Sequence, residues 1–455
     1  MENVLKLPHV PQLPGPFSVR PPGSKSIANR VLPLAALGTG TVRLDNLPDG
    51  DDVTLMRKAL GQLGFRVVVD GLTETLTGSG VFKTGSTESA ELFLGNSGTA
   101  TRILTALLSA GEGTFRVTGV PRMYERPIGD LVDALYPLRG ETEIVYEQTS
   151  GFPPLTINAR GLAGGSTTIR GNLSSQFVTG LLMAMPLCKG RVEVTIEGTL
   201  VSAPYVDMTL SVMRDFGAPV ERDGYKRFWI DSPKGYTNPQ GEGRVDSEYV
   251  VEPDASSASY FLAAGAITNT AITVTGIGSN STQGEARFAT ALQKMGVAVT
   301  YGNSHIAVTA GKVLNAIDID MDLMSDTGMT LAIVALFAEG RTTIRNVGNW
   351  RLKETDRLAA MATELRKLGA TVEEGPDWIA IDPPAQLTPN AVIDTYDDHR
   401  MAMCFSLVTL GPKGVPVTIN DPGCVRKTYP GYWDEFARMT GRKTNPEPGT
   451  QNSQA

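Results

Sequence analysis

The sequence predicts an α/β protein made of six related units in two groups of three, and three observations carry that prediction. A helical stripe with apolar or near-apolar positions at i, i+3, i+7 and i+10, closed by a glycine, recurs in one phase along the chain. A short strand of alternating character precedes each stripe. Upstream of each strand lies a second helix that is apolar on nearly every side.

In chain order the stripes are Val53, Met56, Leu60 and Leu63 before Gly64; Ile128, Leu131, Leu135 and Leu138, with Arg139 inserted before Gly140; and Val206, Thr209, Met213 and Phe216 before Gly217. Phe288, Leu292 and Met295 before Gly296 lack only the first apolar position, and Leu358, Met361, Leu365 and Leu368 before Gly369 complete the set. The strands read TVRLDN, TFRVTG, RVEVTI, AITVTG and TTIRNV, and a sixth, VPVTIN, precedes a shorter segment ending at Trp433 and Phe436. The apolar helices read SIANRVLPLAALG, GTATRILTALLSAG, SSQFVTGLLMAMP, SSASYFLAAGA, DTGMTLAIVALFAEG and HRMAMCFSLVTL. Their starts lie roughly 70 to 80 residues apart, the size of a mixed βα unit rather than a solenoid repeat. Striped helices should cover a sheet on one side, and the apolar ones should be buried along the axis of each domain.

A chain of 455 residues predicts two or three domains, and 41% hydrophobic with 20% charged residues is ordinary for a globular protein. The formal net charge is -7 and no basic run exceeds the pair at Arg442 and Lys443, which argues against nucleic acid or an anionic membrane as partner. MENVLKLPHV lacks the features of a signal peptide, and no apolar run approaches about 18 residues, so a cytoplasmic location is expected. Cys188, Cys404 and Cys424 are scattered and form no CxxC pair, and the three histidines make no HxxxH arrangement. The expectation is chemistry without metal or cofactor.

Several apolar helices begin with small polar residues and a cation: PPGSKSIANR, GNSGTATR, GNLSSQF and DDHR. Free backbone N–H groups and aligned peptide dipoles favour anions there. Each segment alone also reads as an ordinary N-cap, but their recurrence with Lys25, Arg30, Arg102 and Arg400 points to an anion trap. A second group follows the strands: RMYERP with Arg126, NWRLKETDR with Lys353, Glu354 and Arg357, and CVRKTYP with Lys427. Lys353 and Arg357, four apart, are expected on one helical face with Glu354 adjacent; a solvated helix start with local ion pairs is the alternative.

PPGSKSIANR, LFLGNSGTATR, ERPIGDLVDAL, SSQFVTGLLM, SAPYVDMT, DASSASYFLAA, NWRLKETDRLAAMATELRKLGA and TYDDHRMAMCFSLV together closely resemble the 5-enolpyruvylshikimate-3-phosphate (EPSP) synthase family, in order from about Leu7 to about Arg438. The resemblance implies a two-domain inverse α/β barrel, each domain three βαβαββ repeats with buried central helices, closing on substrate. It places one domain at 22–245 and a discontinuous second at 1–21 and 246–441, while the polar composition of the end, rich in Pro, Asn and Gln, predicts a disordered tail at 442–455. It implies a monomer that transfers the enolpyruvyl group of phosphoenolpyruvate to the 5-hydroxyl of shikimate 3-phosphate, releasing phosphate, on the route to aromatic amino acids.

Carried over residue by residue, the resemblance puts Lys25, Ser26, Arg30, Ser174, Ser175, Gln176, Ser202, Tyr205, Asp326, Asn349 and Lys353 around shikimate 3-phosphate. Around phosphoenolpyruvate it puts Lys25, the Gly98 backbone, Arg126, Gln176, Arg357, Arg400 and Lys427, with Asn96 and Thr99 shaping the loop. Asp326 is implied as the base for the hydroxyl proton, and Glu354 or Lys25 as the donor to the methylene carbon; as plain sequence, Asp326 also reads as an N-cap. His399 is expected to pack beside Arg400 rather than to catalyse. Two phosphorylated carboxylic acids bring roughly -5 to -6 of charge, and like charges about 4 Å apart repel by roughly 4 kcal/mol at an effective dielectric of 20. Such a pair needs many cations, and seven of the named residues are Lys or Arg.

The chain departs from the family pattern after Gly98, where Thr101 replaces a methionine and Ile103 a proline, so reduced sensitivity to glyphosate is expected. Two other readings remain at this point: the related enolpyruvyl transferase acting on a UDP-amino sugar, whose loop carries a reactive cysteine, and a phosphate-ester binding protein without catalysis.

Overall fold

A computed structural model of the chain describes residues 4–71, 73–84, 89–239, 247–309 and 313–442. Chain contacts divide it into two compact units, Gly23–Glu252 and the combination of Met1–Pro22 with Pro253–Ala455. The expected boundary between 245 and 246, and the expected tail from 443 onward, lie outside the described residues. Ser247–Val250, expected in the second domain, instead pairs in parallel with Val42–Asp45 and so stands with the Gly23–Glu252 unit.

Six sheets share one plan. Ser89–Phe93 runs into the helix Gly98–Ser109, which returns as Glu112–Thr118 parallel to the first strand; Leu155–Arg160 pairs antiparallel on the far side, with Glu143–Tyr146 beyond it. The same order recurs in Gly165–Arg170, Val192–Glu197, Arg227–Ile230 and Glu221–Asp223. It recurs again in Asp318–Asp320, Thr342–Arg345, Trp378–Asp382 and Thr371–Glu374. The first sheet of each unit draws its parallel strand from a chain segment distant in sequence. Ser247–Val250 supplies Thr39–Asp45, and Phe17–Val19 supplies Ile272–Thr275. In the sixth sheet Val417–Asn420 lies between Ala391–Ile393, parallel, and Val4–Leu7, antiparallel. Each unit is thereby fastened by strands from its two chain ends. The six strands read from the sequence are the inner strands of these sheets.

The apolar segments form Lys25–Leu37, Gly98–Ser109, Ser175–Ala184, Ala255–Thr268, Gly328–Ala335 and His399–Ser406. All eight residues of Gly328–Ala335 are buried, as a helix without a polar face requires. Each unit has its own core, three of these helices at its centre. Within a unit the helices run parallel. Gln176 Nε2 donates to Thr99 Oγ1 at 3.4 Å, and one turn on Gly180 lies against the Arg102 carbonyl, where an added Cβ would come to 2.7 Å. In the other unit Ser259 meets Thr330, and Thr330 meets Cys404. Parallel packing sets the positive dipole ends side by side.

The striped helices end as their glycines dictate. Gly64, Gly217, Gly296 and Gly369 have φ of +89°, +74°, +97° and +91°. The next N–H reaches back to the carbonyl five residues earlier: Phe65 to Leu60, Ala218 to Met213, Val297 to Leu292 and Ala370 to Leu365, at 2.9–3.3 Å. That is the Schellman ending, in which only glycine avoids a Cβ clash. At Gly140 the last turn tightens to the 3₁₀ segment Tyr136–Leu138, which accommodates the inserted Arg139. No helix among the described residues is long and apolar enough to cross a membrane.

Candidate active site

In the unit that contains Pro253 onward, the N-termini of the buried helices and the turns after the strands bring together charges from four segments. Asp326 sits in the 3₁₀ turn Asp322–Thr327 ahead of Gly328–Ala335. Its Oδ1 lies 3.2 Å from Arg357 Nη1 and 3.4 Å from Lys353 Nζ, and its Oδ2 lies 2.9 Å from Arg400 Nη2. The carboxylate is thus spent on three cations; the helix cap residue is Thr327. Burial opposes ionisation of Asp326, but Lys353, Arg400 and Arg357 outweigh it and hold the carboxyl well below its ordinary range.

Glu354 bridges Arg357 and a fourth cation, Oε2 to Arg357 Nη2 at 2.9 Å and Oε1 to Lys427 Nζ at 3.1 Å. Arg357 is 1% exposed and its Nε donates to Asp398 Oδ2 at 2.7 Å. Burial works against its charge, and Asp398, Glu354 and Asp326 together raise its pKa above the usual arginine value. Asp398 also caps the His399–Ser406 helix, accepting from the Arg400 N–H at 2.9 Å. Arg400 donates further to Tyr260 Oη and Ser256 Oγ, at 3.3 and 3.2 Å. Lys353, Arg357, Arg400 and Lys427 against Asp326, Glu354 and Asp398 leave one formal positive charge.

The expected single helical face for Lys353 and Arg357 is not what joins them. Asp356 accepts from the Ala359 N–H and starts the helix at Arg357, so Lys353 is extended with φ -86° and ψ -154°. The two cations meet through Asp326. Asn349 lies in the preceding 3₁₀ turn and donates to Ser325 Oγ at 3.1 Å. His399 is buried beside Asp398.

In the Gly23–Glu252 unit, serines stand at the N-caps of all three buried helices: Ser24, Ser97 and Ser174. Lys25 Nζ pairs with Asp52 Oδ2 at 3.1 Å. Arg126 Nη1 donates to the Asn96 carbonyl and to Asn96 Oδ1 at 2.9 and 3.0 Å. A Cβ at Gly98 would fall on the Arg126 guanidinium and 3.1 Å from Gln176 Oε1, so Gly98, Arg126 and Gln176 are in close contact. Behind them Arg102 donates to the carbonyls of Gly98, Arg126 and Pro127, at 3.3, 3.1 and 2.5 Å. Burial, then the neighbouring Arg126, lowers its pKa well below the usual arginine value.

Arg30, expected at a ligand, is 2% exposed and donates to Thr209 Oγ1, Thr179 Oγ1 and the carbonyls of Ser26 and Tyr205. It therefore holds two other expected ligands in place. Ser202 takes φ +53° at the start of the Ala203–Asp215 helix. The sequence reading did not single out Asp52 or Asp398. The available signals were the acidic first turn of Asp51–Gln62 and the N-cap position in DDHR, both common in helices that bind nothing.

A family model described as EPSP synthase (3-phosphoshikimate 1-carboxyvinyltransferase) matches residues 16–436. The chain belongs to the EPSP synthase family. The 3-phosphoshikimate 1-carboxyvinyltransferase of Burkholderia vietnamiensis is 52% identical over 440 residues, covering 93% of this chain and 98% of that one. The protein of the same name from Burkholderia cenocepacia is 53% identical over the same span. Among solved structures, the EPSP synthase of Acinetobacter baumannii superposes with a TM-score of 0.79 at 24% identity, covering 96% of this chain and 98% of that one. That likeness supports the two-domain inverse α/β barrel of three βαβαββ repeats per domain.

Proposed function

We propose that the chain carries out the EPSP synthase reaction, moving the enolpyruvyl group of phosphoenolpyruvate to the 5-hydroxyl of shikimate 3-phosphate and releasing phosphate. The observation that carries the reading is that Asp326 and Glu354 are embedded among cations, each carboxylate touching at least two. Anion binding alone has no use for carboxylates there. A transfer reaction needs both a base and an acid.

Without substrate, Asp326 is too well stabilised to be a strong base. Incoming phosphate and carboxylate groups compete for Arg357, Arg400 and Lys353, withdraw positive charge from Asp326 and raise its proton affinity. Asp326 then accepts the 5-hydroxyl proton as that oxygen attacks C2 of phosphoenolpyruvate, while Glu354 or Lys25 delivers a proton to C3. The tetrahedral adduct loses phosphate when a proton is withdrawn from its methyl carbon, which restores the double bond. Lys25, Ser26, Arg30, Ser174, Ser175, Gln176, Ser202, Tyr205, Asp326, Asn349 and Lys353 serve shikimate 3-phosphate. Lys25, Asn96, Gly98, Thr99, Arg126, Gln176, Arg357, Arg400 and Lys427 serve phosphoenolpyruvate. Water exclusion on binding protects the cationic character at C2. A cytoplasmic monomer belongs to the same proposal.

Phosphate release in a coupled assay tests the reading: it should require both substrates, and release with a UDP-amino sugar in place of shikimate 3-phosphate, or none at all, would overturn it. The three cysteines speak against the sugar enzyme. Burial pushes the Cys188 and Cys404 thiols up to about 12 and Cys424 higher still, so none is a ready nucleophile.

Arg126→Ala or Lys427→Ala is expected to weaken the use of phosphoenolpyruvate by roughly 2 to 5 kcal/mol in kcat/KM, the range for truncating one partner of a buried charge pair. A change below about tenfold contradicts the assignment. Thr101 and Ile103 are fully buried in the helix that opens at Gly98, and the Thr101 hydroxyl bonds the Ser97 carbonyl at 2.9 Å. A proline at 103 would remove one helical N–H bond and shift that opening turn. Ile103→Pro is therefore expected to change the glyphosate inhibition constant measured against phosphoenolpyruvate; identical constants in the two proteins would remove the idea.

A further inference from the structure

Two adjacent non-glycine residues, Tyr396 and Asp397, hold left-handed backbone with φ of +54° and +53°, immediately before Asp398. Such a conformation is unfavourable for residues with a Cβ and persists where the surroundings over-determine it. It has a geometric consequence here, because the next residues are Asp398, which grips Arg357 and caps the following helix, and Arg400, which meets Asp326.

Glu364 lies against this turn. It is fully buried, although it stands on the striped helix Arg357–Lys367, seven positions after Arg357. Its Oε1 accepts from the Tyr396 hydroxyl at 2.7 Å and its Oε2 from the Asp394 N–H at 3.1 Å, with Lys367 Nζ 2.8 Å from Oε2. Lys367 also reaches the Val392 carbonyl and Asp394 Oδ2, and Asn420 Nδ2 holds Asp394 Oδ1 at 2.7 Å. One helix thus engages the 392–400 segment twice, through Arg357 to Asp398 at its start and through Glu364 to Tyr396 and Asp394 two turns later. A buried carboxylate that accepts from both sides of a bend is a fixed post.

We propose that Glu364 is a positioning residue of the active site. It pins the Tyr396–Asp397 turn in its left-handed form and so sets Asp398, and through it the guanidinium of Arg357 and the helix start that bears Arg400. The proposal rests on the reading that Arg357 and Arg400 hold phosphoenolpyruvate.

Steady-state kinetics of the full chain test it. Glutamine at 364 cannot accept on both arms, so Glu364→Gln should raise KM for phosphoenolpyruvate roughly tenfold or more, the effect of a lost hydrogen bond to a charged group. KM for shikimate 3-phosphate should move far less. Tyr396→Phe, which removes one hydroxyl from a partly exposed ring, should shift the same constant in the same direction and serves if Glu364→Gln does not fold. Glycine adopts the left-handed form without strain, so adding Asp397→Gly should restore most of the lost affinity in either variant. Unchanged KM for phosphoenolpyruvate in the folded variants, an equal rise for both substrates, or no rescue by Asp397→Gly would overturn the proposal. Arg400→Lys measured alongside separates the two levels. A raised KM there with normal values in Glu364→Gln and Tyr396→Phe removes the positioning role alone, whereas a normal KM in Arg400→Lys removes the site assignment and this role with it.

Discussion

Asp326→Asn is expected to lower kcat by roughly two to four orders of magnitude, the usual contribution of a general base, with the affinity for phosphoenolpyruvate altered much less. Asparagine is nearly isosteric and can stay near Arg357, Arg400 and Lys353, but it cannot take the hydroxyl proton. The same change has a pH signature. The folded-state pKa of Asp326 lies below the unfolded value of about 3.9, so its stabilising contribution is present above that pH and is lost as pH falls through the folded value. Tm measured against pH should therefore fall less steeply below about pH 4 in Asp326→Asn than in the parent chain. A variant that retains a tenth of the parent kcat would remove Asp326 from the role of base.

The largest effect on stability is expected at Arg357. Its guanidinium is 1% exposed and divides its donors among Asp326, Glu354 and Asp398. Arg357→Ala leaves three carboxylates with less compensation, and removing one partner of a buried pair costs about 3 to 5 kcal/mol. Urea unfolding should show that loss together with collapse of kcat/KM. Arg357→Lys should rescue only part of it, because a single ammonium cannot reproduce a planar fork aimed at several carboxylates. A loss below about 1 kcal/mol in Arg357→Ala would mean that the cluster is held by something else.

The repeating architecture was legible because two rules with short sequence reach govern it. A glycine that must take positive φ marks each helix end, so Gly64, Gly217, Gly296 and Gly369 could be found from four apolar positions and one Gly. A helix with no polar face must be buried, which located the six core helices. The strands that fasten each unit were not legible. Ser247–Val250 and Phe17–Val19 are four and three residues long and pair with strands more than about 200 residues away, and no local pattern encodes such a partner.

The cations of the candidate site were legible through motifs, whereas the carboxylates that organise them were read less well. Asp52 and Asp398 look like ordinary first-turn and capping residues until tertiary packing sets them against Lys25 and Arg357. Glu364 is written on a helix whose neighbours Thr363 and Arg366 face water, so its burial follows from the turn it meets rather than from its own segment. Local spacing also misled once: the four-residue interval from Lys353 to Arg357 suggested a shared helical face, and the Asp356 cap starts the helix later.

The central claim is that the cations gathered around Asp326 and Glu354 receive the phosphate and carboxylate of phosphoenolpyruvate. A crystal structure with shikimate 3-phosphate and an unreactive phosphoenolpyruvate analogue tests it most directly. The account predicts the analogue's phosphate and carboxylate oxygens within about 3.2 Å of at least two of Arg357, Arg400 and Lys427. An analogue bound away from all three, with those cations left on Asp326, Glu354 and Asp398, would contradict it.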